Sequence, residues 1–204
     1  DRLRSRGLGD VYKRQILFCF FTSSFALHAT ENDDLVKAMM EVYAEELAAN
    51  PQDYRTYYSR AMAYFGQGDM KKALSDIDNA IKYFPRKEKD DLAQAYLLRA
   101  KILSERGETK SALTDLNSAL RLVPNHRLAL KDRGDLLCRL GQYDMAKIDY
   151  NHLLRMDTRS QSAFMGLARV EAHTGQPVRA KDLLAQAVNL SPKDPKIYLE
   201  RSEI

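Results

Sequence analysis

Few side chains in this sequence stand where they could do chemistry. His126 lies at a junction between repeated segments, and His152 and His173 fall within helical patterns. None has a second histidine, a cysteine or a carboxylate at a recognised metal-ligand spacing. The glycines occupy turns and build no phosphate-binding loop, and no serine sits in a nucleophile elbow. Cys19 falls in an apolar leader, and Cys138 reads as a small residue on a helix surface or half-buried. With the leader removed, one thiol remains and no internal disulfide can form. The acidic doublets Asp33-Asp34 and Asp90-Asp91 stand at helix starts, where capping explains them without acid–base work. No catalytic residue, metal ligand or cofactor site is assigned. An enzyme would need sequence outside these residues.

Charge excludes a second class. Of the net +4, residues 1–28 carry five basic and two acidic groups, a balance of +3. The rest holds 27 basic and 26 acidic residues, or +1, too little to neutralise a run of phosphates. No nucleic-acid partner is expected.

The elements that must position any site are repetitive. Gly107, Gly141 and Gly175 are each 34 residues apart, and Gly68 lies 39 before Gly107. After each glycine comes a segment with alanine or leucine seven residues apart and, in three of four cases, a closing proline: Pro85, Pro124 and Pro192, with Thr158 in the remaining one. A fixed period of this length means stacked helical units that each bury a face only against neighbours. Within a unit, Tyr57, Ala61 and Tyr64 share one helical face, and Ala73, Ile77, Ala80 and Ile81 form the stripe of the next helix. The small alanines let the helices approach.

Ahead of the repeats, residues 1–15 share no pattern with the rest and read as a non-native or unstructured leader. Lys13-Arg14 then precede a mostly apolar run to Ala29, with Ser24-Phe25-Ala26 or Leu27-His28-Ala29 as a cleavage site. Residues 16–29 thus resemble a signal peptide, and the expectation is export to a bacterial periplasm or cell envelope. An uncleaved anchor is the alternative, the run being short for a span of ~20 residues. Asn32, Asp33 and Asp34 offer N-caps for a lone helix over 32–51 that covers the first full repeat.

The units are identified by their motifs as resembling the tetratricopeptide repeat. The first has Tyr57-x-x-Arg60-Ala61-x-x-Tyr64, then Ala73, Ile77, Ala80 and Pro85; the second has Tyr96-x-x-Arg99-Ala100-x-x-Leu103, then Ala112, Leu116, Ala119 and Pro124. The third departs most, with Leu130 for the aromatic and Leu153 for the second alanine, but keeps Arg133-Gly134 and Ala146-x-x-x-Tyr150. The fourth runs Phe164-x-x-Leu167-Ala168, Ala180, Leu184, Ala187 and Pro192, and a fifth begins with Tyr198-x-x-Arg201-Ser202. Units are placed at 54–87, 93–126, 127–160 and 161–194, with a truncated fifth from 195. The extra residues 88–92 are expected to lengthen the first helix of the second unit. The fold expected is all-α: a right-handed solenoid of stacked antiparallel helix pairs, with flanking single helices.

The resemblance also frames an irregularity. Arg60, Arg99 and Arg133 replace the family's usual leucine, and Asp76, Asp115 and Asp149 each follow 16 residues later. In the fourth unit both positions become leucine, Leu167 and Leu183. Each Arg–Asp pair is expected to bridge the two helices of its unit as a structural contact. The alternative is that both face solvent independently.

By resemblance, the first helices line a concave groove for an extended peptide or a partner's helix. The groove-facing residues would be Arg55, Tyr58, Met62 and Phe65; Gln94, Leu97, Lys101 and Glu105; Lys131, Asp135, Cys138 and Arg139; and Met165, Arg169 and His173. The Tyr58, Met62 and Phe65 patch is suited to anchoring a partner, unless the N-terminal helix packs over it. A family subset grips chaperone C-termini with a Lys, Asn and Arg clamp. The matching positions here, Tyr58, Met62, Leu98, Leu128 and Asp132, do not fit it, and Asp132 would repel a carboxylate. The function expected is a non-enzymatic protein- or peptide-binding scaffold without cofactor. The alternatives are the sensory region of a longer membrane signalling protein, or a repeat region accessory to a catalytic domain beyond residue 204.

Overall fold

A computed structural model of the chain describes residues 29–195, 197 and 198. The leader and signal-like segment up to residue 28, and most of the fifth unit, lie outside the described residues. Two units are distinguished, residues 1–42 and 43–204. One helix, α1 (Ala29–Ala49), runs through both. Asn32, Asp33 and Asp34 fall inside it instead of capping it.

The second unit holds eight further helices among the described residues: α2 (Tyr54–Gly66), α3 (Met70–Tyr83), α4 (Lys89–Glu105), α5 (Thr109–Leu122), α6 (Arg127–Arg139), α7 (Tyr143–Met156), α8 (Gln161–His173) and α9 (Pro177–Leu190). No strand occurs among the described residues. Each first helix joins its partner through three residues, which leaves the pair no arrangement but antiparallel. The turn chemistry repeats. After α4, the Gly107 amide bonds back to the Ser104 carbonyl and the Glu108 amide to the Leu103 carbonyl, the double closure that ends a helix on a left-handed residue. Gly107 has φ +78°, which a side chain would oppose. Gly68, Gly141 and Gly175 repeat the conformation.

Helix starts are set by side chains. Asp53 accepts from the Arg55 amide, Asp69 from the Lys72 amide, and His126 Nδ1 from the Ala129 amide. Within this unit, Thr56 Oγ1 at the start of α2 donates to Glu46 Oε2 at 2.7 Å, fastening the last turns of α1. Helix α4 has 17 residues where α2, α6 and α8 have 13, with Asp90 and Asp91 in its first turn.

Packing is between neighbours: α2 with α3, α3 with α4, and so on to α9. First helices also meet directly, α2 with α4 and α6 with α8. The alanines Ala61, Ala73, Ala80, Ala112, Ala119, Ala146, Ala163 and Ala180 are fully buried at these crossings, as close helix approach requires. The result is an all-α solenoid of stacked helix pairs.

Candidate functional site

The Arg–Asp pairs are built where the helices of each unit meet. Arg60 Nε and Nη2 donate to Asp76 at 2.6 and 2.8 Å, Arg99 to Asp115 at 2.7 and 2.7 Å, and Arg133 to Asp149 at 2.8 and 2.6 Å. All three are two-pronged, and all three carboxylates are buried. The bond to Asp115, opposed by burial, holds the Arg99 guanidinium more firmly charged than usual. The third arginine nitrogen reaches back to the preceding unit. Arg99 Nη1 donates to Asp78 at 2.8 Å and Arg133 Nη1 to Asn117 at 2.8 Å. That link was absent from the sequence reading, although Asp78 and Asn117 each stand two residues past the bridging aspartate.

Of the expected groove residues, five come together at one place: Phe65, Lys101, Glu105, Asp135 and Arg139. A cleft of about 280 Å³ opens there, lined from α2 by Phe65, from α4 by Lys101, Ser104 and Glu105, and from α6 by Asp132, Asp135 and Arg139. Its floor is apolar, made by Ala100, Ala112, Leu116 and Leu136, all nearly inaccessible. Tyr58 and Met62 are half-buried beside Phe65 on α2. Arg55 and Gln94 are exposed, and Arg55 lies over the Tyr54 ring with Glu88 at 3.7 Å.

Two residues expected on the groove lie in the core. Leu97 is 3% exposed within the main hydrophobic cluster. Helix α4 packs against both α3 and α5, which draws Leu97 into its packed face. Cys138 is likewise buried, its Sγ 3.8 Å from Tyr150 Oη. His173, at the end of α8, is stacked on Tyr143 at 5.2 Å.

Further along, Asp135 is the hub. It accepts from Lys131 at 2.6 Å, from the buried Tyr150 hydroxyl at 2.7 Å and from Arg169 at 3.1 Å. One carboxylate thereby ties α6, α7 and α8. Burial pushes the Asp135 carboxyl up, but Lys131, Tyr150 and Arg169 outweigh it and hold it below the usual range. Burial, reinforced by the Asp135 charge, pushes the Tyr150 hydroxyl well up, so it stays a donor. The ring fits only because Gly134 and Gly166 flank it; a Cβ at either would collide with it. Met165 is half-buried and takes a weak bond from Gln161 at 3.8 Å. Among the described residues, no group of three or more His, Cys, Asp or Glu is placed to hold a metal, and no helix is long and apolar enough to cross a membrane.

Comparison with known proteins follows the same lines. No curated protein matches the chain. A tetratricopeptide repeat protein from Parabacteroides merdae superposes with a TM-score of 0.74 at 27% identity, covering 85% of this chain and 66% of that one. YrrB, described as a TPR protein with an unusual peptide-binding site, gives 0.70 at 18% identity over 85% of this chain and 87% of its own. MamA gives 0.69 at 16% identity over 84% and 99%. The family model described as tetratricopeptide repeat matches residues 40–91, 58–127, 97–146 and 131–195. With helix pairs, turn glycines and buried alanines in register along that whole span, the chain belongs to the tetratricopeptide repeat family.

Proposed function

We propose that the protein is a non-enzymatic scaffold that binds a protein or peptide segment along its first-helix face. The observation that carries this reading is the cleft at which α2, α4 and α6 converge, with an apolar floor and a charged rim. Concave sites of this composition, a little under the size range of small-molecule pockets, suit a side chain and its flanking backbone. Half-buried Phe65 lines it, and half-buried Tyr58 and Met62 on the same helix add an aromatic and thioether anchor. The fold shared with YrrB supports the reading by analogy of architecture alone.

An array of short synthetic peptides, probed with the wild-type protein and with a Tyr58→Ala/Phe65→Ala variant, tests it. The expected outcome is a subset of peptides retained by wild type and lost by the variant at unchanged helicity. Equal retention by both proteins would remove the groove as the binding face.

A further inference from the structure

One carboxylate among the residues lining the cleft is incompletely hydrogen-bonded. Asp132 Oδ2 is shielded from solvent and accepts no hydrogen bond. Lys101 Nζ stands 3.8 Å from it, and Lys131 Nζ lies 3.6 Å from the other carboxylate oxygen, both beyond hydrogen-bonding reach. The neighbouring groups are committed elsewhere. Asp135 holds three donors, and Arg139 Nη2 donates to Ser104 Oγ at 2.7 Å. Lys101 on α4 and Asp132 on α6 thus both line the cleft, joined by an ion pair too long for a hydrogen bond. A shielded carboxylate oxygen without a donor is a standing cost that a bound group can remove.

We propose that the cleft holds a main-chain amide of an extended peptide between Lys101 and Asp132, an inference that rests on the groove reading above. The peptide carbonyl accepts from Lys101 Nζ and a peptide N–H donates to Asp132 Oδ2. The rim argues for a neutral group. An incoming carboxylate would meet Glu105 and Asp132, and an incoming ammonium would meet Lys101 and Arg139. An amide brings both a donor and an acceptor with no net charge. The small floor residues Ala100 and Ala112 allow a backbone to come close, and Phe65 forms a wall for the adjoining side chain. Lys101, with 43% of its side chain exposed, has the flexible stem needed to move from Asp132 onto the carbonyl. Affinity from this point is independent of peptide sequence, and selectivity falls to the Tyr58, Met62 and Phe65 end.

The test uses the peptides retained by wild type on the array, resynthesised with N-methyl groups at each backbone position in turn. Binding is measured by fluorescence anisotropy to wild type, Asp132→Ala and Lys101→Met. The inference expects one position at which N-methylation weakens wild-type binding about ten-fold, both variants weakened to a similar extent for every peptide, and no N-methyl penalty in Asp132→Ala. A flat N-methyl scan, a response only to replacement of Asn or Gln side chains, or a penalty that persists in Asp132→Ala overturns it and leaves the groove reading standing. If no peptide is retained, or if Tyr58→Ala/Phe65→Ala retains the same ones, both fall together. Circular dichroism checks that the variants fold; should Asp132→Ala fail, Lys101→Met at its half-exposed position carries the test.

Discussion

Tyr150 shows how one residue can serve both the packing and the groove. Its ring fills the slot left by Gly134 and Gly166, and its hydroxyl donates to Asp135, which faces the groove. Replacing it with phenylalanine keeps the ring and removes a donor from a carboxylate, at a cost of about 1–2 kcal/mol near neutral pH. The pH dependence has a definite sign. The folded-state hydroxyl is raised above the ordinary tyrosine value, so the folded protein keeps a proton that the unfolded chain loses. The stability it contributes is complete below about pH 10 and declines as the pH rises further. Urea unfolding of wild type and Tyr150→Phe at increasing pH should show a constant gap that narrows above about pH 10. A gap that stays constant through strongly alkaline pH would place the hydroxyl in an environment like water. Of these residues, Asp135 and Arg169 were expected at groove positions by resemblance to the family. The hydroxyl beneath them was not, because Tyr150 stands on a second helix and the pattern marks it only as core.

At the scale of elements, the Arg–Asp pairs link helices twice, within a unit and to the unit before. Removing one partner strands the other. Asp115→Ala leaves the Arg99 guanidinium with Asp78 alone, in a setting where about three quarters of its side chain is covered. We expect a loss of about 2–3 kcal/mol, below the full cost of breaking a buried pair because Asp78 remains. Arg99→Leu/Asp115→Leu should return to within about 1 kcal/mol of wild type, since apolar packing can replace a buried ion pair. The fourth unit already carries that exchange in Leu167 and Leu183, both in the apolar interior or against it. Chemical denaturation of the three proteins decides the matter: a double-leucine protein as weak as Asp115→Ala would show that the geometry needs charge. The 16-residue interval made the intra-unit pairs readable, since it joins two helices across a short turn. The links to Asp78 and Asn117 depend on how adjacent units are rotated, which no interval records.

For the whole array, stability is a sum over neighbouring units. The largest hydrophobic cluster runs from Ala93 on α4 to Val170 on α8, whereas the cluster around α9 is small. The arginine links join the first unit to the second and the second to the third, and Leu167 ends them. Native-state hydrogen exchange should therefore be slowest in α5 to α7 and progressively faster into α9. Equal protection along the array would mean that it unfolds as a single cooperative block, and faster exchange at α5 to α7 than at α9 would contradict the cluster sizes.

Periodicity was enough to establish the fold, because glycines with positive φ and alanines at helix crossings are demanded locally and recur with each unit. The family resemblance added which helices are expected to line the groove, but not which side chains stand open there. Leu97 and Cys138 share the groove register yet are buried, and Asp132, unsuited to the clamp it would have belonged to, lines the cleft with an unsatisfied oxygen. Whether a polar atom has a partner depends on distances of a few tenths of an ångström between helices far apart in the chain. Repeat spacing fixes neighbours along a helix; only the stacked units decide what meets across the groove.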